Sequence, residues 1–473
     1  MPALTSVSVA PLAPDRFREV LASELYAEFG KAISKAEKIL AGRTIWNVNS
    51  TARGGGVAEM LASLLAYARG AGVDARWIVV GGNPDFFAIT KRIHNRLHGA
   101  QGSSGDLGAR EKEVYERTLH PAGEELADCV RSDDVVILHD PQTAGLIAHT
   151  KSTGARVIWR CHVGLDTAND HARSAWDFLR PYVSKADAYV FSRKAFAWEQ
   201  LDTAKLKIIR PSIDAFSPKN QDMDAATVRA ILHATGALQG DDGDAEPTFI
   251  RGDGRPARVE RPTDMLGAGP VPVARDLVVQ VSRWDRLKDP VGVIEGFGAH
   301  VSPRCDAHLL LAGPSVEAVA DDPEGAEVLE EAKTAWQALP EGVAERVHLA
   351  CLPMDDGEEN AAIVNALQRR ADVVVQKSIA EGFGLTVAEG MWKGRAVVAS
   401  RIGGIQDQIE HGVSGVLVDD PHDLAAMGDA VTSLLLDPGD RAEMGKKARL
   451  RVRDEFLGPR HLMEYLELIE ELA

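Results

Sequence analysis

The stretch Ile45-Trp46-Asn47-Val48-Asn49-Ser50-Thr51-Ala52-Arg53-Gly54-Gly55-Gly56 carries the pattern that decides the fold. Its first residues form a short, largely apolar run, as in a buried β-strand. After the glycines, apolar residues recur at helical spacing, at Val57, Met60, Leu61, Leu64, Leu65 and Ala68. A buried strand, a glycine loop and an amphipathic helix in succession predict one unit of a parallel α/β sheet.

The same alternation of apolar strands and helices continues along the chain in two blocks. Further strands of the first block are predicted at 77–80, 135–138, 157–159, 189–191 and 208–209. Those of the second block are predicted at 277–281, 309–312, 347–350, 373–375, 397–399 and 416–418. We therefore predict two Rossmann-like domains of parallel sheet flanked by helices, with an interdomain cleft.

The predicted domain boundaries follow from these blocks. The N-terminal domain spans 1–212 and is joined by a C-terminal helix within 456–473, and the second domain spans 213–455. Residues 236–276 are rich in Gly, Pro and Asp with little periodicity, and they are predicted to form an insertion or long surface loop.

Composition excludes several classes of protein. The chain has 473 residues, and its 53 Lys and Arg against 70 Asp and Glu give a net charge of −17. So acidic a chain lacks the basic face that nucleic-acid binding needs. Cys129, Cys161, Cys305 and Cys351 are scattered, which argues against a zinc or redox site and favours a reducing compartment. With neither a secretory leader nor a membrane-spanning run, we expect a cytoplasmic protein without membrane partners.

Two predicted loops suit phosphate binding. Gly54-Gly55-Gly56 lies between a strand and a helix, where backbone N–H groups approach an anion, although glycines also serve tight turns. Ser282-Arg283-Trp284-Asp285-Arg286-Leu287-Lys288-Asp289 follows the strand at 277–281 and carries three cations. Arg283 and Lys288 suit a diphosphate, and the alternative is a solvated loop with local salt bridges.

A third candidate loop precedes a predicted helix after the strand at 373–375. It reads Glu381-Gly382-Phe383-Gly384-Leu385-Thr386-Val387-Ala388-Glu389-Gly390. The spacing of the two Glu residues means little by itself in a Glu-rich chain. Its value comes from the glycines, the aromatic residue and the strand–loop–helix context, which expose N–H groups near Gly384 to a phosphate or sugar oxygen.

His162 is the fourth candidate, because it lies just past the strand at 157–159 with Asp166 nearby. The end of a parallel strand points a side chain towards the ligand-binding edge of the sheet. A lone histidine is nevertheless more often structural than catalytic.

These motifs together resemble the family-4 glycosyltransferases of the GT-B fold, through Glu381 to Glu389 and the loop SRWDRLKD. The strings NSTARGGGVAEML, DFFAITKRIHNRLHG and PSIDAFSPKNQDM are similar to the trehalose glycosyltransferring synthases. The resemblance covers nearly the whole chain. Residues 236–276 depart from it, because typical members have a shorter connection there.

The resemblance implies a role for each matching position. Arg283 and Lys288 would hold the donor diphosphate, and Glu381 and His162 would contact the transferred sugar. Donor binding would also involve backbone or side chains of a wider set: Gly55, Gly56, Gly382, Phe383, Gly384, Leu385, Thr386 and Glu389, the last on the ribose hydroxyls. The acceptor sugar would be bound by the first domain. The candidate acceptor-binding residues are Asn49, Lys91, His94 and Asp166. For the stretch 85–95, the alternative is that Phe86, Phe87 and Ile93 are core and Lys91 and His94 are surface.

The implied reaction joins UDP-, ADP- or GDP-glucose to free glucose and gives α,α-trehalose with retention. We expect front-face attack in which Arg283 and Lys288 replace a metal ion, with no tightly bound cofactor. Three alternatives stay open: a trehalose phosphorylase, a related enzyme with another sugar or sugar-phosphate acceptor, and a non-catalytic sugar-nucleotide sensor. Partners are then the small-molecule substrates NDP-glucose, glucose and trehalose, with a homodimer as an open alternative to a monomer.

Overall fold

A computed structural model describes residues 3–53, 55–102, 105–240, 245–316 and 323–472. The chain divides into two compact units, one of residues 1–213 and 456–473 and the other of residues 214–455. None of the described helices combines the length and the apolar character that crossing a bilayer requires.

The first unit is built on a seven-stranded sheet. Its strands are β1 (Leu4–Val7), β2 (Thr44–Asn49), β3 (Asp74–Val80), β4 (Val135–His139), β5 (Arg156–Cys161), β6 (Ala188–Phe191) and β7 (Leu206–Ile208). They are arranged in the order β1-β3-β2-β4-β5-β6-β7. The helices before the unit boundary are α1 (Ser23–Ile39), α2 (Gly56–Gly70), α3 (Pro84–Leu97), α4 (Ala109–Cys129), α5 (Ile147–Lys151) and α6 (Asp170–Val183).

The second unit has the same architecture. It contains α7 (Ala225–Ala234), β8 (Thr248–Ile250), β9 (Pro256–Arg258), β10 (Asp264–Gly267), β11 (Leu277–Val281), α8 (Pro290–Gly296), β12 (His308–Pro314), α9 (Pro323–Gln337), α10 (Glu341–Ala344), β13 (Val347–Leu352), α11 (Gly357–Arg370), β14 (Val373–Gln376), α12 (Leu385–Trp392), β15 (Ala396–Ser400), α13 (Ile405–Gln408), β16 (Val416–Val418), α14 (Leu424–Leu436) and α15 (Pro438–Glu455). Its main sheet has the order β10-β13-β12-β11-β14-β15-β16.

The last helix, α16 (Gly458–Leu472), belongs to the first unit. Leu466, Leu468 and Ile469 are buried in one cluster with apolar residues of α1, β2 and β4. Burying several large aliphatic side chains at about 1.5–3 kcal/mol each anchors the C-terminus to the first sheet.

The predicted fold class, two helix-flanked parallel sheets, is confirmed, with one exception in each sheet. Edge strands β1 and β10 pair antiparallel with β3 and β13. Both are four residues long and only partly buried, so they lack the apolar run that identified the inner strands.

The segment 236–276 is more ordered than the predicted surface loop. Strands β8 and β9 form an antiparallel hairpin, and β10 extends the second sheet. Arg251 at the hairpin ion-pairs with Asp356 and Glu358 before and within α11. Strands of three or four residues are too short for a period of two to stand out among Gly and Pro, which is why the pattern gave no signal. Residues 241–244 lie outside the described residues.

Candidate functional site

Both predicted donor loops lie at the point where the second sheet reverses its strand order. The chain runs from β11 outward through β12 to β13 and then returns to β14 on the other side of β11. In open α/β sheets, ligands bind beyond the carboxyl ends of the strands at such a switch point. The loop after β11 carries Arg283 and Lys288, and the loop after β14 carries Glu381.

Lys288 and Glu381 are in direct contact. The Lys288 ammonium donates to the Glu381 carboxylate, and both side chains are mostly buried, at 16% and 14% exposure. Ser378 Oγ lies 3.4 Å from the same carboxylate oxygen. The sequence therefore brings together a cation suited to phosphate and a carboxylate suited to sugar hydroxyls.

The buried Gln280 side chain ties the two loops together. Its Nε2 donates to the Lys288 carbonyl at 2.9 Å, and its Oε1 accepts from the Lys377 backbone N–H at 3.0 Å. Lys377 in turn ion-pairs with Asp289. These bonds hold Lys288 and Glu381 at a fixed separation before any substrate arrives.

The other two cations of the loop differ in their surroundings. Arg283 is 67% exposed and pairs with Asp285 at 3.0 Å, so its guanidinium is available to a ligand at small cost. Arg286 turns to α9 and pairs with Glu327 at 3.1 Å and Glu331 at 2.7 Å. Arg286 is therefore part of a surface ion-pair network.

The loop 381–386 is shaped by close backbone contacts. Gly384 has a φ of 79° and precedes the first residue of α12. The Gly404 N–H donates to the Gly382 carbonyl at 2.8 Å, and the Gln408 amide donates to the Phe383 carbonyl. Gly382, Leu385 and Thr386 are partly exposed, whereas Phe383 is 7% exposed. The Phe383 side chain therefore supports the loop. A contact between the Phe383 backbone and the donor stays a prediction.

Gly403 is the tightest point of this loop. A Cβ at that position would lie 2.1 Å from the Glu381 carbonyl oxygen, and its φ is 47°. We expect Gly403→Ala to lower the free energy of unfolding by about 2 kcal/mol or more, because backbone must shift to make room. It should also reduce turnover, since the displaced loop carries Glu381.

Gly412→Ala is the matched control for denaturant unfolding. Gly412 also has a positive φ, 76°, but nothing lies within 4 Å of its Cβ position. A loss of about 1 kcal/mol from backbone conformation alone is expected there. Equal losses in the two variants would contradict the close-contact explanation.

Glu389 lies on α12 and is 7% exposed. The Lys219 ammonium is 3.7 Å from its carboxylate. Lys393, one turn later, donates to the Asn220 side-chain oxygen at 3.0 Å and to the Glu389 carbonyl at 3.2 Å. Burial lowers the pKa of Lys393. Glu389 is thus a nearly buried carboxylate with the Lys219 ammonium beside it, while Lys393 is bound to the Glu389 backbone carbonyl.

In the first unit, the strand order reverses between β2 and β4. The loop after β2 leads to Gly55 and then to Gly56, the first residue of α2. Gly55 has a φ of 87°, and no atom lies within 4 Å of the position that a Cβ would take there. Gly54 lies outside the described residues.

The side chain of Asn49, a predicted acceptor contact, is 4% exposed. Its amide donates to the Thr51 carbonyl at 2.7 Å and accepts from the Trp77 indole at 2.8 Å. These bonds give Asn49 a structural task, and its contact with an acceptor stays a prediction.

His162 lies beside two residues that the sequence analysis missed. Its Nε2 is 3.0 Å from His139 Nδ1, and its backbone N–H donates to the Asp140 carboxylate at 2.8 Å. His139 ends β4, and Asp140 directly follows it with a φ of 65°. A non-glycine residue in the left-handed region next to a candidate site is a mark of function. The available signal was a polar His-Asp pair directly after the apolar run at 135–138.

Burial dominates the acid–base properties of this cluster. It raises the pKa of Asp140 to about 6 and lowers the pKa of His139 to about 3. It also lowers the pKa of His162 well below its usual range, and the fully buried Arg160 guanidinium acts in the same direction on both histidines. Both histidines are therefore neutral at pH 7.

Asp140→Asn is expected to stabilise the protein at pH 7 by about 3 kcal/mol. The folded-state pKa is raised above its unfolded value near 4, so ionisation of Asp140 disfavours the fold as pH rises from about 4 to 6. Asparagine tolerates the left-handed conformation and avoids that cost. Urea unfolding of both proteins at pH 7 and pH 4 measures the difference, which should vanish at pH 4. The exposed Asp133→Asn serves as control, and a gain in Asp140→Asn independent of pH would contradict the explanation.

The remaining acceptor candidates lie on or near α3. Phe86 and Ile93 are fully buried, so the core alternative is confirmed for both, whereas Phe87 is 39% exposed. Lys91 is exposed, and His94 is half-buried with its ring 4.9 Å from that of His98. Asp166 pairs with Arg193 at 2.6 Å. Among the described residues, the hydrogen bonds of His162 join it to His139 and Asp140 rather than to these candidates. Within the described ranges, no group of three or more His, Cys, Asp or Glu could hold a metal ion.

Comparison with known proteins is consistent with this geometry. The family described as "Trehalose synthase, N-terminal domain" matches residues 47–198, and "Glycosyl transferases group 1" matches residues 270–451. The chain is 35% identical to a trehalose synthase of Rubrobacter xylanophilus over 458 residues, which cover 96% of each chain. The chain belongs to the trehalose synthase family of glycosyltransferases.

Two further proteins match this chain at lower sequence identity. A trehalose phosphorylase of Pleurotus pulmonarius is 27% identical over 86% of the chain, which spans only 54% of that protein. The solved structure of an α,α-trehalose-phosphate synthase (UDP-forming) from Burkholderia vietnamiensis aligns with a TM-score of 0.65 at 15% identity, covering 90% of this chain and 98% of that one. That structural likeness confirms the GT-B fold. The chain is therefore a trehalose-related glycosyltransferase.

Proposed function

We propose that the protein transfers glucose from a nucleoside diphosphate glucose to free glucose and forms α,α-trehalose with retention at the anomeric carbon. The observation that carries this proposal is the Lys288–Glu381 pair at the switch point of the second sheet. An ammonium that stabilises a departing phosphate lies next to a carboxylate that accepts hydroxyl hydrogen bonds, as transfer of a sugar from a diphosphate requires.

The second unit supplies the groups for the donor. Lys288 and the exposed Arg283 bind the diphosphate and offset the charge that develops as the glycosidic bond breaks. Glu381 and the backbone of residues 382–386 contact the transferred sugar. Glu389 is nearly buried beside Lys219, and its carboxylate accepts hydrogen bonds from the ribose hydroxyls. The departing phosphate deprotonates the attacking hydroxyl on the same face of the sugar, and the cations serve in place of a metal ion.

The first unit supplies the groups for the acceptor. Two of the three cations on α3 are engaged within the fold: Arg92 donates to the Asp106 carbonyl, and Arg96 donates to Ser174 and the Gly105 carbonyl. Lys91 is the exposed cation of this helix. Within α3, one exposed ammonium is a weak basis for binding a dianionic phosphate, since phosphate sites use several charges or bidentate donors. This supports free glucose over a sugar phosphate.

A trehalose phosphorylase is the second candidate, because a relative of that name matches most of the chain. That chemistry uses inorganic phosphate in place of the nucleoside diphosphate and leaves a ribose-binding Glu389 without a task. The match to a trehalose synthase over 96% of both chains further supports a synthase rather than a phosphorylase.

The deciding experiment incubates the protein with UDP-, ADP- or GDP-glucose and either glucose or glucose 6-phosphate, and separately with trehalose and inorganic phosphate. We expect a disaccharide with two α-anomeric carbons by NMR from an NDP-glucose and glucose. Glucose 6-phosphate exceeding glucose by about tenfold in kcat/KM, ~1.4 kcal/mol, would contradict the free-glucose acceptor. Glucose 1-phosphate formed from trehalose and phosphate, with no turnover of any NDP-glucose, would identify a phosphorylase.

A further inference from the structure

His139 connects two residues of the first unit and has no task in the reaction proposed above. Its Nε2 lies 3.1 Å from Asn47 Oδ1, and its Nδ1 lies 3.0 Å from His162 Nε2. His139 and Asn47 are 2% and 4% exposed, whereas His162 is only partly buried. The rings of His139 and His162 are nearly parallel, at 13°, with centroids 5.3 Å apart.

We call Asn47, His139 and His162 the relay. The surroundings of the relay keep the rings of His139 and His162 neutral. Arg160 of β5 is fully buried, and its guanidinium donates to the Ile209 carbonyl at 2.6 Å. His461 and Tyr465 of α16 line the same cavity as His139, and Asp140 accepts the backbone N–H of His162. Burial and the Arg160 charge both lower the pKa values of His139 and His162.

Neutral rings make the direction of each hydrogen bond determinate. A carbonyl oxygen only accepts, so His139 Nε2 must carry the proton and donate to Asn47 Oδ1. Nδ1 of His139 then has a lone pair and accepts from His162 Nε2–H. The remaining ring nitrogen of His162, Nδ1, therefore carries a lone pair, and no described residue hydrogen-bonds it.

We propose that His139, held by Asn47, is a positioning residue that fixes His162 as the Nε2–H tautomer and so presents the Nδ1 lone pair to a sugar hydroxyl. The sugar as partner rests on the proposed function, whereas the fixed tautomer rests on the three side chains alone. Because Nδ1 can only accept, it bonds a hydroxyl, which donates, and disfavours a phosphate or carboxylate oxygen at the same place. The relay thereby selects an unmodified sugar hydroxyl.

The tautomer is measured directly in the substrate-free protein. Long-range 1H–15N correlation spectra of histidine-labelled protein at pH 7 distinguish protonated from unprotonated ring nitrogens, and His162→Gln assigns the signals. We expect the Nε2–H form in the wild type, a mixture of forms in His139→Leu and Asn47→Leu, and the Nε2–H form retained in Asn47→Asp. Aspartate keeps an acceptor for His139, and leucine of similar size does not.

A matched control comes from the second unit, which contains another stacked histidine pair. His308 Nδ1 lies 2.8 Å from His348 Nε2, and the rings are 25° apart. His308→Leu removes a similar buried contact elsewhere, so it should leave the His162 tautomer unchanged.

Kinetics with singly deoxygenated glucoses, as donor and as acceptor, tests the consequence. One deoxy compound should lose about tenfold in kcat/KM with the wild type and with Asn47→Asp, and that penalty should disappear in His139→Leu and Asn47→Leu. A general loss of packing would lower activity with all substrates alike and leave the penalty intact.

Two results would overturn the proposal: the Nδ1–H form in the wild type, or one unchanged tautomer in wild type, His139→Leu and Asn47→Leu. If His139→Leu does not fold, the Asn47→Leu and Asn47→Asp pair decides by the same spectra. A wild type that uses no NDP-glucose would refute the proposed function, and the spectra would still decide the positioning role.

Discussion

Lys288→Ala is expected to lower kcat about a hundredfold, which corresponds to ~3 kcal/mol of transition-state stabilisation. The Lys288 ammonium is mostly buried, is held against Glu381 and has its backbone fixed by Gln280. A preorganised charge of this kind acts most strongly where negative charge develops, on the departing phosphate. Steady-state kinetics with the preferred NDP-glucose measures the effect, and Arg283→Ala is expected to act in the same direction.

Arg286→Ala provides a control from the same loop, because its guanidinium is bound to carboxylates of α9. Removing it takes away one positive charge from the loop while leaving the predicted diphosphate contacts in place. We expect activity within about twofold of the wild type, since exposed ion pairs contribute little, about 0–1 kcal/mol. Near-normal turnover in both Lys288→Ala and Arg283→Ala would refute the diphosphate assignment.

The inner strands of both sheets could be predicted from sequence because they are buried on both faces. Runs such as those at 135–138 and 373–375 contain apolar residues only, which is the mark of a parallel strand covered by helices. The edge strands β1 and β10 carry polar residues and are only partly buried, so no periodicity distinguishes them from loops. Their pairing with β3 and β13 is a tertiary contact that a local pattern does not contain.

The second unit's candidate residues could be predicted because charge and glycine stand out within short loops. What the sequence could not show is that Lys288 binds Glu381, which lies 93 residues further on, or that Gln280 ties their loops together. The same applies to His139, Asp140 and His162, which come together only when β4 and β5 pair. Asn49 shows the ambiguity of such a signal, because a polar residue at a strand end can equally serve the fold, and its contact with an acceptor stays a prediction.

The two carboxylates of the motif at 381–389 are expected to differ in what they contribute. Glu389 is nearly buried next to Lys219, and we propose that it accepts ribose hydroxyls, which are present in the free nucleotide. Glu389→Gln turns a charged acceptor into a neutral one and weakens those hydrogen bonds. An increase in the Kd for NDP of about tenfold, ~1.4 kcal/mol, follows.

Glu381→Gln is expected to lower kcat by about 30- to 100-fold, ~2–3 kcal/mol, and to leave the Kd for NDP unchanged or slightly lower. The Glu381 carboxylate forms an ion pair with Lys288, so it competes with the diphosphate for that ammonium. Glutamine removes this competition and frees Lys288 for the nucleotide, but it weakens the hydrogen bond to the sugar that is transferred. Calorimetric titration with NDP and single-turnover rates with NDP-glucose separate the two effects. Equal losses of NDP affinity in Glu381→Gln and Glu389→Gln would contradict this division, because two ribose-binding carboxylates would behave alike.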